Sequence, residues 1–243
     1  MIGLVTLVVL VVGASVAVSK SRPSTGLEGP SSRALVEQIR DAVAQDAWNE
    51  TGAVRFTFAG RNTHLWDRQR GLSRVEWGDV VVLQRLDERV GRVWRNDREV
   101  TGKRRDRLIE KAWSSHINDT FWLQPFANLD DAGVTKSIVE LSGTRGLLVE
   151  YASGGVTPGD AYWWELDPET GRPRAWRMWV QIIPIGGVRA SWDGWVQLPT
   201  GAWISTSHDI GPARIQITEL TGATSLDALG YDEDPFAPLL SVK

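Results

Sequence analysis

The feature that most constrains the fold is a tryptophan-rich run from Ala161 to Thr218. Seven of the thirteen tryptophans lie in this run. Apolar residues recur at alternate positions, and turns rich in proline and glycine, such as Asp167–Gly171 and Leu198–Gly201, separate the segments. This pattern is typical of antiparallel strands joined by hairpins. A sheet with so much aromatic area must bury at least one face against a core, a helix, a lid or a ligand.

Composition excludes several classes of function. The chain has 243 residues, no cysteine and a formal net charge of −3. The absence of cysteine excludes disulfides and thiol catalysis. A net charge this small creates no global field that would select nucleic acid, so we expect no nucleic-acid partner. No nucleotide-binding glycine motif is present, and we expect no cofactor.

The first residues differ from the rest of the chain because residues 2–18 are almost entirely apolar. This length lies between the apolar core of a signal peptide and a membrane span. No basic residue precedes the run, whereas Lys20 and Arg22 follow it, and this order argues against export of the C-terminal part. We nevertheless interpret residues 1–19 as a signal peptide or membrane anchor. We expect a periplasmic or otherwise extracytoplasmic protein, which associates with the membrane through residues 2–18 if this segment is kept as an anchor rather than cleaved.

The remaining chain divides by pattern into a linker, a domain and a tail. We predict a flexible linker at residues 20–32, one domain at residues 33–226 and a C-terminal tail or strap at residues 227–243. Amphipathic periodicity predicts helices over Arg33–Trp48 and Lys103–His116. Alternating apolar residues predict strands between and after these helices. The chain is expected to be a monomer. The predicted class is α+β, mainly antiparallel β.

Five short segments in this order carry a resemblance to a known superfamily: His64-Leu65-Trp66-Asp67-Arg68, Asn118-Asp119-Thr120-Phe121-Trp122-Leu123, Thr157-Pro158-Gly159-Asp160, Trp192-Asp193-Gly194-Trp195 and Leu198-Pro199. With the early helix and its following strand, they resemble the LolA/LolB-like lipoprotein-carrier superfamily, most of all its uncharacterised exported bacterial relatives. The resemblance implies a curved, incompletely closed half-barrel sheet packed on two or more helices, with an apolar cavity. It implies no catalytic residue.

The aromatic residues are the main candidates for a binding site. Neighbouring indoles on one strand point to opposite faces, and two helices can cover only one face of a sheet. We therefore predict that some of this surface lines a cavity for a lipid, an acyl chain or a lipoprotein. The predicted lining residues are Phe56, Phe58, Trp163, Trp176, Trp179, Trp192 and Trp195, and the segment Phe121–Phe126, with Phe121, Trp122 and Phe126, is the predicted gate. The alternative for these residues is a plain hydrophobic core.

Histidines offer a second hypothesis. His64, His116 and His208 are the only histidines, and each has an aspartate nearby in sequence. If the fold brought them together, they could hold a metal ion for a metal-dependent or other hydrolase on the same scaffold. Their spacing matches no metal motif, so we expect a binding protein rather than an enzyme. The basic run Arg92–Arg107 is a candidate for binding phosphates or lipid headgroups, with a solvated surface as its alternative.

Overall fold

The computed structural model describes residues 20–152, 159–181 and 183–240. The predicted signal peptide or anchor lies outside these residues, as do Thr157 and Pro158 of the Thr157–Asp160 motif. In chain order, the elements are α1 (Pro30–Ala42), α2 (Gln45–Glu50), β1 (Ala53–Phe58), β2 (Asn62–Asp67), β3 (Leu72–Trp77), β4 (Val80–Arg85), β5 (Val90–Arg95), β6 (Arg98–Val100), α3 (Gly102–Phe121), β7 (Val134–Leu141), β8 (Thr144–Tyr151), β9 (Ala161–Leu166), β10 (Pro173–Trp179), β11 (Val188–Ser191), β12 (Asp193–Gln197), β13 (Trp203–Ile210), β14 (Ala213–Ala223) and α4 (Ala237–Leu240).

Contacts divide the chain into two compact units. The first unit comprises Met1–Gln45, Gln124–Val196 and Trp203–Ile215. The second unit comprises Asp46–Leu123, Gln197–Ala202 and Gln216–Lys243. The single-domain boundaries drawn from the sequence stay a prediction.

The first unit contains a five-stranded antiparallel sheet in the order β11-β10-β9-β8-β7. Its central register places Leu147, Trp164 and Trp176 side by side on neighbouring strands. Because side chains alternate along a strand, the adjacent Trp163 points to the opposite face. Helix α1 packs against β7 and β8 and buries Val36 on its apolar stripe. The sheet therefore carries indoles on both of its faces, as the sequence pattern indicates.

Residues 20–27 lie against this sheet, although their composition predicts a flexible linker that does not pack. The main chain of Leu27 exchanges two hydrogen bonds with Ile138 on β7, at 3.0 and 2.9 Å. The Nε1 of Trp179 donates to the carbonyl of Lys20 at 2.8 Å, and Arg22 pairs with Glu150. The expectation that this segment makes no packing contacts is therefore wrong. Main-chain hydrogen bonds hold the segment, and such bonds leave no periodic pattern of side chains in the sequence.

The second unit contains the antiparallel strand order β14-β1-β2-β3-β4-β5-β6, to which β14 contributes residues 216–223. Helix α3 packs on β3, β4 and β5, where Ile109 and Ala112 meet the valines of these strands. The C-terminal residues cover other side chains of the sheet, since Phe236 is fully buried in a cluster with Leu65 and Leu72. The tail is thus a strap over at least residues 226–239.

The observed class matches the prediction: the sheets are antiparallel, neither is closed into a barrel, and a few helices accompany them. Two helices differ from their predicted bounds. The first is interrupted because Ala44 adopts a left-handed φ of 52°, which ends α1 and begins α2. The second continues to Phe121, so that Asp119 lies in its last turn rather than capping a new segment. Among the helices of the described residues, none is long and apolar enough to cross a membrane.

Candidate functional site

The most concentrated group of candidate residues is an aromatic group in the first unit, here called the ring cluster. Three of its indoles form a triangle: the ring centroids of Trp164, Trp176 and Trp192 lie 4.8, 5.0 and 5.2 Å apart. The rings meet edge to face at 60–70°. All three side chains are at most 1 % exposed. The cluster consists of Phe126, Tyr151, Tyr162, Trp164, Trp176, Trp192, Trp195 and His208.

Strand register builds this cluster from distant parts of the sequence. Trp164 and Trp176 are direct partners in the β9–β10 pair, and Tyr162 is opposite Met178 on the same face. Phe126 comes from the loop after α3 and lies 4.6 Å from the Trp164 ring. Edge-to-face pairs of this kind each contribute about 0.5–1.5 kcal/mol beyond the burial of their area. The cluster therefore stabilises the first unit, and its buried interior is almost entirely aromatic.

The predicted lining residues of the first unit fall into two groups. Trp176, Trp192, Trp195 and Phe126 meet in the ring cluster. Trp163 packs instead with Val139 and Leu148, and its Nε1 donates to the carbonyl of Val139 at 3.0 Å. Trp179 borders that second group. The structure thus does not bring all of the predicted lining residues of this unit to one place.

The second unit holds the other predicted lining residues beside two histidines. The Phe56 ring stacks on His64 with centroids 4.6 Å apart and an interplanar angle of 12°. Phe58 lies 6.5 Å from Trp122, which caps the C-terminal end of α3. Of the predicted gate, Phe121 is the last residue of α3 and is half-buried. The gating role of this segment stays a prediction.

A buried polar network surrounds Asp119 in the second unit. Its Oδ2 accepts from the side-chain amide of Asn62 at 2.8 Å and pairs with His64 Nε2 at 2.8 Å. Its Oδ1 accepts from Asn118 at 2.9 Å. His64 and Asp119 are at most 3 % exposed, so this is an interior network. The sequence does not reveal this network, because a contact between β2 and α3 leaves no local spacing signal.

His116 completes this histidine pair, with its ring centroid 5.8 Å from that of His64. Burial, together with the charge of His64, holds the pKa of His116 well below its usual range. His116 is therefore neutral at physiological pH. Its ring meets Trp66 edge to face at 5.1 Å, which places it in an aromatic environment.

His208 belongs to the first unit and is placed differently. Its Nδ1 donates to the carbonyl of Ser191 at 3.0 Å, and its ring meets Trp192 at 4.7 Å. Burial lowers the pKa of His208 to about 4. Among the described residues, no group of three or more histidine, aspartate and glutamate side chains is arranged to hold a metal ion. Within these residues, the structure therefore offers no three-ligand group for the metal-dependent form of the hydrolase hypothesis.

Two cavities in the second unit have mostly polar walls. One has a volume of about 270 Å³ and is lined by Arg55, Thr63, His64, Leu65, Arg74, Glu76, Glu219 and Tyr231. The other has a volume of about 570 Å³ and is lined by Arg95, Asn96, Arg98, Glu99, Val100 and Arg104. Neither contains any of the ten predicted aromatic residues. These cavities are therefore not the apolar cavity that the sequence predicts.

The second cavity lies in the basic run Arg92–Arg107. Three of the run's seven basic side chains have a described ion pair: Arg92 with Glu99 and Arg95 with Asp79, each at 2.7 Å, and Arg105 with Asp106 at 2.8 Å. These pairs are largely solvent-exposed, where such contacts contribute little to stability. A solvated surface accounts for this paired part of the run, and binding of phosphates or lipid headgroups stays a prediction.

Comparison with known proteins gives a structural likeness only. No protein-family model matches the chain. No curated protein matches it at a significant level either.

Among solved structures, a DUF1329 family protein from Desulfovibrio piger is similar with 11 % identity and a TM-score of 0.37, covering 78 % of this chain and 92 % of its own. A LolA superfamily protein from Nitrosomonas europaea shares 8 % identity with a TM-score of 0.34 over 78 % of this chain and 92 % of its own. An outer membrane lipoprotein-sorting protein domain from Vibrio parahaemolyticus shares 8 % identity with a TM-score of 0.35, over 84 % of this chain and 98 % of its own. One of these proteins is named as a member of the superfamily that the sequence resembles. With identities and TM-scores this low, we transfer no function from these proteins.

Proposed function

We propose that the protein is a non-enzymatic binder of an apolar ligand such as a lipid, an acyl chain or a lipoprotein. It works outside the cytoplasm as a monomer, and residues 2–18 associate with the membrane if they are not cleaved. The names of the similar structures, a LolA superfamily protein and an outer membrane lipoprotein-sorting domain, agree with such a role. The proposal itself rests on this chain's own residues.

The observation that carries the proposal is the ring cluster. It gathers seven aromatic side chains and His208 in continuous contact within one unit. Apolar ligands bind among aromatic and aliphatic side chains with few polar groups, and transfer of a chain from water contributes about 0.8 kcal/mol for each buried CH₂. The rings contact one another, so an acyl chain enters only if they separate. Trp164, Trp176 and Trp192 are the rings that a ligand would displace.

The hydrolase alternative lacks an observation in its favour. His64 is engaged by Asp119, and His208 donates its Nδ1 hydrogen to Ser191. The described hydrogen bonds of His64 include none to a serine hydroxyl of the kind that activates a nucleophile. We keep this alternative as an outcome of the test below.

Lipid extraction and a binding titration test the proposal. The full chain is purified, bound lipids are identified by mass spectrometry, and binding of a dansyl-labelled long-chain fatty acid is followed by energy transfer from tryptophan. We expect bound lipid and saturable binding, and weaker binding for Trp176→Leu. Trp77→Leu is the matched control because this half-buried indole lies in the second unit, outside the ring cluster.

Three results would contradict the proposal. If the folded wild type binds neither lipid nor the fatty acid, the proposal is wrong. Equal losses in both variants would show that the ring cluster is not the site. A stoichiometric metal ion in native mass spectrometry that is lost in His208→Ala would favour the hydrolase instead.

A further inference from the structure

The structure fixes the point at which the apolar N-terminal run joins the folded chain. Lys20 is held to the first unit by two main-chain contacts: its N–H donates to the carbonyl of Gly186 at 3.0 Å, and its carbonyl accepts from Trp179 Nε1 at 2.8 Å. The main chain also approaches closely at Gly187, where an added Cβ would lie 2.9 Å from the Cβ of Lys20. Lys20 is thus seated on the loop between β10 and β11.

The loop that holds Lys20 also exposes apolar side chains. Ile183 and Ile185 are partly exposed, Pro184 is exposed, and Trp179 is partly exposed beside them. We call Lys20, Trp179, Ile183, Pro184 and Ile185 the Lys20 surface. Such a loop, with an indole and a lysine at its edge, has the composition of a membrane-water interface, where tryptophan and lysine anchor a protein.

Charges around the Lys20 surface are mainly positive. Arg177 lies there and donates to the carbonyl of Gly187 at 3.2 Å, whereas Arg189 approaches Glu165 at 3.6 Å. Arg22 pairs with Glu150, and the buried Asp160 accepts from the main chain of Gln181 at 3.0 Å, so Lys20 and Arg177 are the nearby cations for which the described residues show no ion pair. This excess favours a negatively charged partner surface.

We propose that the Lys20 surface lies directly on a lipid bilayer that contains anionic lipid. The inference rests on the membrane association proposed for residues 2–18, and it adds which face of the first unit meets the membrane. Only Ser19 separates the apolar run from Lys20, and two residues of chain span at most about 7 Å. A membrane-embedded run therefore holds this face at the bilayer surface, without the spacer that the composition of residues 20–32 predicts.

A second copy of the chain fits this face less well than a bilayer. In a two-fold symmetric dimer the same patch meets itself. The basic side chains around Lys20 and Arg177 would then oppose each other, and like charges at an interface oppose association. The bilayer provides both the apolar interior for Ile183 and Ile185 and the anionic headgroups for the cations.

Site-specific fluorescence tests the orientation. The chain contains no cysteine, so a single introduced cysteine is the only labelling site. Ile185→Cys and Pro184→Cys place an environment-sensitive probe on the Lys20 surface. Glu169→Cys is the matched control because it is exposed in the β9–β10 turn, at the opposite end of β10 from Trp179 and about 20 Å away by strand rise.

The full-length variants are mixed with vesicles of phosphatidylethanolamine and phosphatidylglycerol that contain a lipid carrying a nitroxide quencher near the headgroup. We expect blue-shifted emission and several-fold stronger quenching at positions 184 and 185 than at position 169. Equal quenching at the three positions would show a loosely tethered protein, and stronger quenching at 169 would show the opposite orientation. A probe at 185 that shifts without vesicles, in proportion to protein concentration, would indicate a second copy. Each of these three results overturns the inference.

The same samples separate this inference from the proposals on which it depends. Protein that does not float with the vesicles overturns both membrane association and the orientation. Floating protein with equal quenching overturns the orientation alone. Binding of the dansyl fatty acid is measured independently, so its loss contradicts only the ligand-binding proposal.

Discussion

Acid should destabilise the protein through His208, and its surroundings set the size of this effect. The ring is fully buried, and burial lowers its pKa from 6.5 to about 4. The hydrogen bond to Ser191 and the charges of Asp193 and Asp209 act in the opposite direction but do not overcome burial. The folded protein therefore holds His208 neutral in a pH range where the unfolded chain is protonated.

The sign follows from proton linkage. Because the unfolded state binds the proton more readily, stability is fully present above pH 6.5 and is lost as pH falls toward 4. Between about pH 7.5 and about pH 4.5, this single group should lower the free energy of unfolding by about 2–3 kcal/mol. That is a large part of the stability of an ordinary domain, which is about 5–15 kcal/mol.

Urea unfolding followed by tryptophan fluorescence at the two pH values measures this loss. The variant His208→Asn removes the titrating group, and its amide nitrogen can replace Nδ1 as donor to Ser191. We expect the variant to lose about 2–3 kcal/mol less than the wild type over this pH range. His116 and the carboxylates titrate in both proteins, so the difference isolates His208. Equal pH losses in the two proteins would refute the reasoning.

Three further substitutions test packing and the polar network by urea unfolding. Asp119→Ala leaves buried donors without their acceptor and should cost about 3–5 kcal/mol; a cost below about 1 kcal/mol would mean that the network is hydrated. Gly146→Ala should cost about 1–3 kcal/mol because its Cβ would lie 2.6 Å from the Trp163 ring. Phe236→Ala should cost about 3–5 kcal/mol because the strap loses its fully buried side chain. The control Leu240→Ala, 41 % exposed in the same segment, should change stability by less than about 1 kcal/mol, and equal effects of the two would contradict the strap.

Periodic elements were predictable from the sequence because their signal is local. The strand of Val54, Phe56 and Phe58 alternates buried and outward positions, and it lies at Ala53–Phe58 in the structure. The first helix was predicted as one element over Arg33–Trp48, yet a left-handed Ala44 divides it into Pro30–Ala42 and Gln45–Glu50. Such a break leaves no compositional mark, so periodicity alone does not reveal it.

Contacts between distant segments were not predictable in the same way. Asp119 is three residues from His116 and fifty-five from His64, and it pairs with His64. Likewise, the prediction that two helices can cover only one face of a sheet took account of periodic elements and left out segments without a period. The strap that buries Phe236 and the segment that ends at Leu27 have no period, yet both pack against sheets. Aromatic abundance by itself therefore does not establish a cavity.

The ligand proposal consequently depends on an energetic comparison within the ring cluster. The triangle of Trp164, Trp176 and Trp192 contains three ring pairs, and separating all of them would cost about 1.5–4.5 kcal/mol. Burying a methylene group contributes about 0.8 kcal/mol, so about two to six methylenes offset this cost. Short acyl chains should then leave the cluster closed, whereas each further methylene should strengthen binding about four-fold until the cluster is filled. Ligands that bind equally well at all chain lengths would place the site elsewhere, because only displacement of these rings sets such a threshold.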